Sequence, residues 1–433
     1  MTIRRTAITL IVRALRPNVL RAQSDCRKFE KELTENVHRM QLRKLQKLLK
    51  HHLKRRFYRD YCMHDVKLTS LDALKSFPIV TKDFLREHVH AIGQTSEAYR
   101  YDSTSGSSGK NLFFYQNRGM LDASTAAVRY CTLMAGVDIW CDRTIGIWGH
   151  SPSTDWKADT LQTLKRVAIN TELLQGYGLN SDRAAKYLDK ISRVKPKLLY
   201  GYPSYLHFLA RVGLNRNIRA PELGSIICSG EQLQEDQKLG IESYFGTTLF
   251  NRYGSREFGI IAHETFEHAG MYVPPTRFIL EVGSEGELLV TDLDNMATPF
   301  IRYAIGDVAE LVDASKQLGR PGQCIASIHG RTHDIIKTPS GKMIPGQFWT
   351  LLSRVVPGIQ EFQIVQTTPK TIEFRLIAGR KYKPENEYQL KGRFGQLVGD
   401  EVTLLIRPVD KIERSAMGKR RFIIRIEDNH DSA

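Results

Sequence analysis

Residues 103–110 read Ser-Thr-Ser-Gly-Ser-Ser-Gly-Lys, a loop rich in glycine and in hydroxyl groups that ends in a lysine. Glycine leaves backbone N–H groups accessible, and several hydroxyl groups and one ammonium group beside them suit a polyphosphate. The loop is not a Walker A motif, because only two residues separate Gly106 from Gly109 and because Asn111 follows the lysine. Flexible connectors share this composition, so the rest of the chain has to decide between the two interpretations.

Four further motifs follow this loop. Residues 251–257, Asn-Arg-Tyr-Gly-Ser-Arg-Glu, combine an aromatic ring that can stack on adenine with a carboxylate that can hold Mg²⁺. Residues 302–307, Arg-Tyr-Ala-Ile-Gly-Asp, end in an acid that can accept hydrogen bonds from ribose hydroxyl groups. The last two are residues 330–334, Gly-Arg-Thr-His-Asp, and residues 415–421, Ser-Ala-Met-Gly-Lys-Arg-Arg. Each alone is typical of an ordinary turn, but unrelated turns do not account for five motifs in this order and spacing.

Together the five motifs resemble those of the adenylate-forming superfamily of acyl-CoA synthetases, luciferases and adenylation domains. More narrowly, they resemble the phenylacetate–CoA ligase branch, which includes CapK-type capsule-biosynthesis and coenzyme F390 synthetase-like proteins. Supporting stretches are residues 77–82, 201–204, 229–231 and 291–303. The resemblance spans roughly residues 40–425. It implies an α/β fold in which a large multi-subdomain adenylation domain, with layered sheets and a β-rich subdomain, is followed by a small mobile α+β domain.

The resemblance also implies a reaction in two steps. A carboxylate attacks the α-phosphate of ATP to give an acyl-adenylate and pyrophosphate, and a second nucleophile then displaces AMP. A free carboxylate is a poor electrophile, and esterification to AMP supplies a good leaving group. The phosphate charge has to be neutralised while two anions approach each other.

By the family pattern, residues 104–110 would cradle the β- and γ-phosphates and Tyr253 would lie against adenine. Glu257 would bind Mg²⁺, and Lys419, a mobile point cation, would bridge the substrate carboxylate and the α-phosphate in the first step. Asp307 would hold the ribose, assisted by Arg331. The implied ATP-binding residues are Ser103, Thr104, Ser105, Gly106, Ser107, Ser108, Gly109, Lys110, Gly230, Glu231, Tyr253, Gly254, Arg256, Asp307 and Arg331, and the implied catalytic residues are Lys419 and Glu257.

The chain departs from the family pattern in two places. Arg256 stands where most members have Thr or Ser, although an arginine still suits a phosphate. His333 stands where many members have an acidic or lysine hinge residue, which leaves the hinge unassigned. Cys324, His329 and His333 also have the spacing of zinc ligands, but a fourth ligand is missing.

Four residues are candidates for the wall of an acyl pocket and suggest an aromatic or otherwise flat acid: Trp148, His150, Tyr202 and Tyr205. The alternative is that Trp148 and Tyr205 pack in the core and that His150 is structural. Residues 339–345, Pro-Ser-Gly-Lys-Met-Ile-Pro, lie where acyl-CoA ligases approach pantetheine, which favours CoA as the acceptor. Transfer to an amine is the alternative, and a non-catalytic membrane-associated relative is a second one.

Charge is concentrated at the N terminus of this chain of 433 residues, whose formal net charge is +16. Residues 1–60 hold 17 Lys and Arg against 5 Asp and Glu, a balance of +12, which leaves 46 against 42, or +4, for the rest. A nearly neutral body argues against nucleic-acid binding across the fold. Residues 1–22 contain an apolar run among five arginines and no acid, which suits a short helix on an anionic membrane, a transit peptide, or a solvated helix docked on the body.

The charge and apolar patterns, together with the resemblance, place three units along the chain. Residues 1–60 are predicted to be a basic helical extension, 61–330 a large ATP- and acyl-binding domain, and 331–433 a small domain that carries Lys419. Residues 25–60 are predicted to be helical, with Phe29, Leu33, Val37 and Met40 on one apolar stripe. Strand-like apolar runs, such as residues 144–148, alternate with helical stretches, such as residues 182–193, up to about residue 270, and strands such as residues 278–282 dominate beyond it. The six cysteines are scattered, so reduced thiols, a cytoplasmic protein and no disulfide framework are expected. No run of about 18 apolar residues occurs, so no membrane-spanning helix is expected.

Overall fold

A computed structural model describes residues 2–52, 68–93, 97–103, 112–148, 170–176, 179–284, 286–331, 336–340, 343–344, 349, 352–353, 356–412 and 423–425. The helices are α1 (Thr2–Leu15), α2 (Pro17–Phe29), α3 (Thr34–His52), α4 (Lys82–Gly93), α5 (Arg118–Met134), α6 (Ser181–Val194), α7 (Pro203–Asn215), α8 (Glu235–Phe245), α9 (Ala314–Gln317) and α10 (Asn386–Val398), with a 3₁₀ helix at Asp72–Ser76.

The strands of the first half of the chain are β1 (Arg100–Ser103), β2 (Phe113–Gln116), β3 (Thr144–Trp148), β4 (Thr171–Gln175), β5 (Leu198–Gly201), β6 (Ser225–Ser229), β7 (Leu249–Ser255), β8 (Gly259–Glu264) and β9 (Met271–Tyr272). Those of the second half are β10 (Phe278–Val282), β11 (Glu287–Asp292), β12 (Tyr303–Asp313), β13 (Gln323–Arg331), β14 (Ile336–Lys337), β15 (Met343–Ile344), β16 (Ile359–Thr368), β17 (Thr371–Ala378), β18 (Thr403–Pro408) and β19 (Ile423–Ile424).

Eleven of these strands form the central sheet, in the order β10-β11-β12-β13-β9-β8-β7-β6-β5-β3-β4. The five strands β4, β3, β5, β6 and β7 run parallel, and α6, α7 and α8 connect β4, β5, β6 and β7 in turn. Every residue of β6 is buried, as expected of a parallel strand covered on both faces. The core of this part is built by aliphatic side chains of the strands and helices, among them Ile145, Ile147, Leu188, Leu199, Leu206, Leu209, Ile226 and Ile241.

From β7 to β10 every neighbouring pair in the central sheet is antiparallel. An aromatic cluster fills the core of this second part, and its members are Phe258, Phe278, Phe300 and Tyr303. Edge-to-face contacts join their rings, with centroids 5.0 to 5.9 Å apart. The two halves of the central sheet therefore meet at β7 and β8.

The C-terminal part forms a separate four-stranded sheet in the order β18-β17-β16-β19. Its core consists of residues between Ile336 and Ile423, including Trp349 and the α10 residues Leu390 and Phe394. These residues pack among themselves, which agrees with a small α+β unit after residue 331, and the division at residues 60 and 330 stays a proposal.

Arginine–carboxylate pairs hold the N-terminal helices on the body. Arg16 donates to Asp122 at 2.7 Å, and Arg129 donates two hydrogen bonds to Asp138 at 2.7 and 2.6 Å while its guanidinium lies 3.8 Å from the centre of the Trp140 ring. Arg5 of α1 lies 3.5 Å from the same Asp138 carboxylate. At least two of the five arginines before residue 22 are thus engaged in ion pairs with the body.

Several predicted elements are confirmed and others need correction. The strands at 144–148 and 278–282 have the predicted bounds, and the predicted helix at 182–193 lies within α6. The helical prediction for residues 25–60 needs correction between the two helices, because α2 ends at Phe29 and α3 starts at Thr34, and its last part, residues 53–60, lies outside the described residues. Leu33, which we expected on the buried stripe, lies in this break and is 73% exposed.

The buried Arg129–Asp138 pair should contribute strongly to stability. Burial raises the pKa of Asp138, but the hydrogen bonds and charge of Arg129 outweigh it, so the pKa is lowered overall. A carboxyl with a lowered pKa stabilises the fold above its unfolded value of about 3.9, and this contribution is lost as the pH falls through the folded pKa. We expect Arg129→Met to reduce the free energy of unfolding by about 3 kcal/mol at pH 7, because it leaves a buried carboxylate without its hydrogen-bonded cation and with only the half-exposed Arg5 nearby.

Urea unfolding of the full chain at pH 7 and at acid pH measures the loss of unfolding free energy in Arg129→Met. The matched control is Arg193→Met, since Arg193 pairs with Asp189 on an exposed face of α6 and such a pair contributes about 0–1 kcal/mol. Equal losses for the two variants would contradict the structural role of Arg129.

Candidate nucleotide and acyl site

The ends of four parallel strands bring the predicted site residues to one edge of the central sheet. Ile147 pairs with Gly201, Gly201 with Cys228, and Ser229 with Arg252. One edge of the sheet therefore carries Trp148, the last residue of β3, Tyr202 and Gly230, which directly follow β5 and β6, and Tyr253, two residues before the end of β7. This is the edge at which open α/β sheets bind ligands.

Three aromatic rings lie against each other at this edge. The ring centroids of Trp148 and Tyr202 are 4.2 Å apart, and those of Tyr202 and Tyr205 are 5.4 Å apart. Tyr202 and Tyr205 are buried in the core of the parallel half, and half-buried Trp148 packs against it. A side chain on Gly176 would overlap the Tyr205 ring, since its Cβ would lie 2.2 Å from that ring. The packing role that we considered for Tyr205 thus holds, and Trp148 is the most exposed of the three rings.

Gly230 and Glu231, directly after β6, shape this edge. Gly230 has a φ of +82°, and a Cβ there would lie 2.6 Å from the Tyr202 ring. Glu231 accepts a hydrogen bond from the backbone N–H of Ser204, at 3.2 Å, in the first turn of α7. Burial raises the pKa of Tyr202 to about 12 and the Glu231 carboxylate adds to the effect, so the Tyr202 phenol stays protonated at neutral pH.

Tyr253 and Asp307, the candidates for adenine and ribose, are in direct contact. The Tyr253 hydroxyl donates to Asp307 Oδ2 at 2.5 Å, across 54 residues of sequence. Asp307 lies in β12 opposite Arg331 in β13, so the backbone of Arg331, which was predicted to assist at the ribose, is next to Asp307 in the sheet. The half-buried ring and the carboxylate offer a stacking face and a hydrogen-bond acceptor side by side.

The chain turns at residues 256–258, between β7 and β8, and the last part of β7 contains Gly254. A Cβ at Gly254 would lie 2.2 Å from the backbone oxygen of Gly259, so only glycine fits between β7 and β8. The turn presents Arg256, whose Nη2 lies 3.1 Å from Asp102 Oδ1. The Asp102 carboxylate also accepts from the Ser103 backbone N–H at 2.8 Å, so Ser103 and Arg256 share one partner.

Glu257 is a buried carboxylate that fits a hard cation. It is 6% exposed, and the Tyr303 hydroxyl lies 3.5 Å from its Oε1, a distance too long for a strong O–H···O bond. Burial raises the pKa of Tyr303 well above its usual value, with a further contribution from the Glu257 charge, so the phenol remains a neutral neighbour. A carboxylate with lone pairs to spare is the oxygen ligand that Mg²⁺ prefers.

Some predicted site residues lie outside the described residues. They are Thr104, Ser105, Gly106, Ser107, Ser108, Gly109, Lys110, His150 and Lys419. For Arg331 the structure describes the strand backbone alone.

Of the residues that were considered for zinc, Cys324 is buried in β13, the His329 Nε2 lies 3.1 Å from the Ser327 hydroxyl, and His333 lies outside the described ranges. Within those ranges no three His, Cys, Asp or Glu side chains form a metal-binding group.

Two neighbours of the site were missed by the sequence analysis. Asp102 directly precedes the Ser- and Gly-rich loop, and its position there was the available signal. Tyr303 belongs to the motif at 302–307, but no sequence pattern places its hydroxyl beside Glu257, which lies 46 residues earlier.

Comparison with known proteins shows similarity along most of the chain. Residues 335–426 match the CapK C-terminal domain family. Protein CapK of Staphylococcus aureus is 25% identical over 370 residues, which cover 81% of this chain and 80% of CapK. Phenylacetate–coenzyme A ligase of Pseudomonas putida is 24% identical over 338 residues, which cover 71% of this chain and 73% of that ligase.

Solved structures of adenylate-forming ligases have the same fold. 2-Hydroxyisobutyryl-CoA ligase in the postadenylation state, in complex with 2-HIB-AMP, matches with a TM-score of 0.71 and 19% identity, covering 93% of this chain and 92% of the ligase. The amide bond synthetase McbA from Marinactinospora thermotolerans matches with a TM-score of 0.51 and 16% identity, covering 72% of this chain and 66% of McbA. The predicted α/β fold is thereby confirmed.

The packing at Gly230 makes a testable prediction about the geometry of the site. We expect Gly230→Ala to lower the free energy of unfolding by more than the about 1 kcal/mol that a positive φ costs, because the new methyl group also displaces the Tyr202 ring. Gly246→Ala is the matched control, since Gly246 has a φ of +60° with nothing within 4 Å of its Cβ position. Urea unfolding and near-ultraviolet circular dichroism measure both effects. An unchanged aromatic spectrum in Gly230→Ala would contradict the close packing of Gly230 on Tyr202.

Proposed function

We propose that this chain, whose predicted resemblance to the CapK and phenylacetate–coenzyme A ligase branch the comparisons confirm, is an AMP-forming carboxylate ligase. The observation that carries the proposal is the hydrogen bond between Tyr253 and Asp307 at the carboxyl edge of the parallel strands. It joins a ring that suits adenine to a carboxylate that suits the ribose, at the edge where such sheets bind ligands.

Nucleotide binding in this proposal uses residues from both halves of the central sheet. The adenine lies against Tyr253, beside the segment Gly230–Glu231, and the ribose hydroxyl groups donate to Asp307, with Arg331 assisting. The turn at residues 256–258 directs the chain toward the phosphates, where the hydroxyl groups and the lysine of residues 103–110 are proposed to bind the β- and γ-phosphates. Glu257 would hold Mg²⁺, which neutralises phosphate charge when bound.

Acyl transfer to AMP needs a cation between two anions. Lys419 is proposed to contact the substrate carboxylate and the α-phosphate together, because an ammonium group on a flexible chain can reach both and lowers their repulsion. The carboxylate oxygen then attacks the α-phosphorus, and the bond to the bridging oxygen of pyrophosphate breaks. Lys419 should matter for this step and much less for the transfer of the acyl group from AMP.

The acid is proposed to be aromatic or flat, with Trp148 and Tyr202 as one wall of its pocket. The ring of Trp148 is half-buried beside the buried Tyr202, which leaves part of an aromatic face for a substrate. His150 remains a candidate for a polar contact. The acid would then lie next to Gly230, beside the segment that is proposed to contact adenine.

CoA is the proposed acceptor of the acyl group. The similarity to phenylacetate–coenzyme A ligases supports CoA, and the segment at residues 339–345 adds to it. The alternative acceptor is an amine, and the fold shared with an amide bond synthetase is compatible with it. In both cases the acyl-adenylate is formed first.

Carboxylate-dependent exchange of label between pyrophosphate and ATP tests this proposal. We expect at least one acid from a panel of aryl, amino and fatty acids to support exchange with Mg²⁺, and we expect Lys419→Ala to reduce the exchange rate at least about 100-fold. The matched control is Lys411→Ala, which removes an exposed lysine from the same part of the chain and should leave the rate unchanged. Adding CoA or amines with the best acid then identifies the acceptor.

Absence of exchange with every acid, given folded protein, would reject the ligase proposal. That result would favour the non-catalytic relative. Exchange that persists unchanged in Lys419→Ala and in Glu257→Gln would instead reject the catalytic roles proposed for these two residues.

We propose in addition that α1 contacts an anionic membrane surface from the cytoplasmic side. Ile8 and Val12 of α1 pack on the body, whereas Leu10, Ile11 and Leu15 are 57%, 56% and 66% exposed. The helix contains no acidic residue, and exposed Arg13 lies beside the apolar residues. An exposed apolar stripe with basic neighbours is typical of helices that lie in the headgroup region. No helix in the described ranges is long and apolar enough to cross a membrane.

Vesicle sedimentation tests this contact. We expect the full chain to bind vesicles that contain phosphatidylglycerol and not vesicles of phosphatidylcholine alone. Changing Leu10, Ile11 and Leu15 together to Ser should weaken binding at least about tenfold, because each apolar side chain contributes when it leaves water. The matched control changes the equally exposed Leu214 and Leu239 to Ser. Unchanged binding of the α1 variant, or a dimer that its substitutions dissociate, would contradict a membrane role.

A further inference from the structure

We propose that Asp102 is a positioning residue that holds the Arg256 guanidinium toward the β- and γ-phosphates of ATP. The inference rests on the proposed function and extends it to a residue outside the motifs of the sequence. It concerns an arginine that stands where Thr or Ser is usual, so the partner of that arginine is a property of this chain.

The Asp102 carboxylate joins two basic side chains and one backbone donor. Oδ1 accepts from the Ser103 backbone N–H at 2.8 Å and lies 3.1 Å from Arg256 Nη2, and Oδ2 accepts from Arg100. The Asp102 side chain is 12% exposed, whereas those of Arg100 and Arg256 are about half exposed. The carboxylate is therefore a fixed anchor, and the two guanidinium groups extend from it toward solvent.

Arg256 lies between the groups that are proposed to bind the two ends of the nucleotide. Three residues before it is Tyr253, and directly after it is Glu257. Its contact to Asp102 brings it next to Ser103, the first hydroxyl residue of the Ser- and Gly-rich motif. A guanidinium has five N–H donors in a planar fork that matches phosphate oxygens, and the contact to Asp102 through Nη2 leaves other donors for such a ligand.

The charge of Arg256 acts on the same edge of the sheet. Burial raises the pKa of Tyr202 and Glu231 adds to it, while the Arg256 charge lowers it, so the guanidinium is close enough to affect the aromatic cluster. Arg256 thus lies between β1 and the carboxyl ends of the parallel strands, which is where a triphosphate attached to adenosine at Tyr253 would extend.

By holding Arg256 in place, Asp102 favours ATP binding more than the repulsion between its carboxylate and a phosphate opposes it. Arg100 already neutralises the Asp102 charge by direct contact, so removal of the carboxylate changes the field at the phosphates little. Without Asp102, Arg256 would be a half-exposed side chain with several rotatable bonds, and ordering it upon binding would cost conformational entropy.

The pair of Asp102 and Arg256 contributes little to the stability of the β1–β2 hairpin. Ion pairs with an exposed partner stabilise weakly. The hairpin is held elsewhere, because the backbone N–H of Tyr115 donates to Thr298 at 2.9 Å and Asn295 donates to the Tyr115 carbonyl at 3.2 Å. Substitution of Asp102 should therefore affect ligand binding without unfolding this region.

Equilibrium titration of the full chain with Mg·ATP and with AMP tests the proposal. We expect Asp102→Asn and Arg256→Ala each to raise the Kd for ATP about tenfold, with the double variant no weaker than either single one, because both remove the same oriented cation. The Kd for AMP should stay within about twofold, since AMP lacks the β- and γ-phosphates. Asp102→Glu should restore part of the ATP affinity because it keeps the carboxylate. Thermal unfolding of each variant provides the control for folding.

Several outcomes overturn the proposal. Unchanged ATP affinity in Asp102→Asn would show that Arg256 needs no anchor, and tighter ATP binding would show that Asp102 competes with the phosphates. Equal losses for ATP and AMP would indicate a structural role only. If the unsubstituted chain binds ATP and Asp102→Asn weakens it while no acid supports pyrophosphate exchange, the ligase proposal fails and the positioning role stands. If the unsubstituted chain does not bind ATP, both fail.

Discussion

The parallel register of β3, β5, β6 and β7 is the constraint on which the site depends. It aligns residues near the carboxyl ends of four strands, where Trp148, Tyr202 and Tyr253 lie. The alignment in turn requires buried apolar strands with helices between them, as in β6, where every residue is buried. A shift of one strand by one residue would turn Tyr202 or Tyr253 to the opposite face of the sheet.

The antiparallel half of the sheet contributes to the site through the hydrogen bond from Tyr253 to Asp307. Tyr253 belongs to β7, at the junction of the two halves, and Asp307 to β12. The phosphate end depends on a second long-range contact, between Arg256 and Asp102, which are 154 residues apart. The N-terminal charge has a different use: Arg5 and Arg16 pair with carboxylates of the body, and the exposed face of α1 is apolar.

Sequence patterns predicted what depends on local composition. The strand at 144–148 is a dense apolar run, and its bounds agree with those of β3 because periodicity and burial coincide there. The break between α2 and α3 was missed, since the apolar spacing continues across it and a helix end depends on capping and tertiary contacts. The motifs identified Tyr253, Asp307 and Arg256 as candidates, but periodicity carries no distances. The contacts to Asp102 and Tyr303 follow from strand order and could be found only in the folded chain.

The most direct test of the account is a crystal structure of the full chain with an acyl-sulfamoyl adenosine, a stable analogue of an acyl-adenylate. The account predicts the adenine against the Tyr253 ring, the ribose hydroxyl groups within hydrogen-bond distance of Asp307, and the acyl group beside Trp148 and Tyr202. A nucleotide bound away from the carboxyl ends of β6 and β7, or an adenosine that contacts neither Tyr253 nor Asp307, would contradict it.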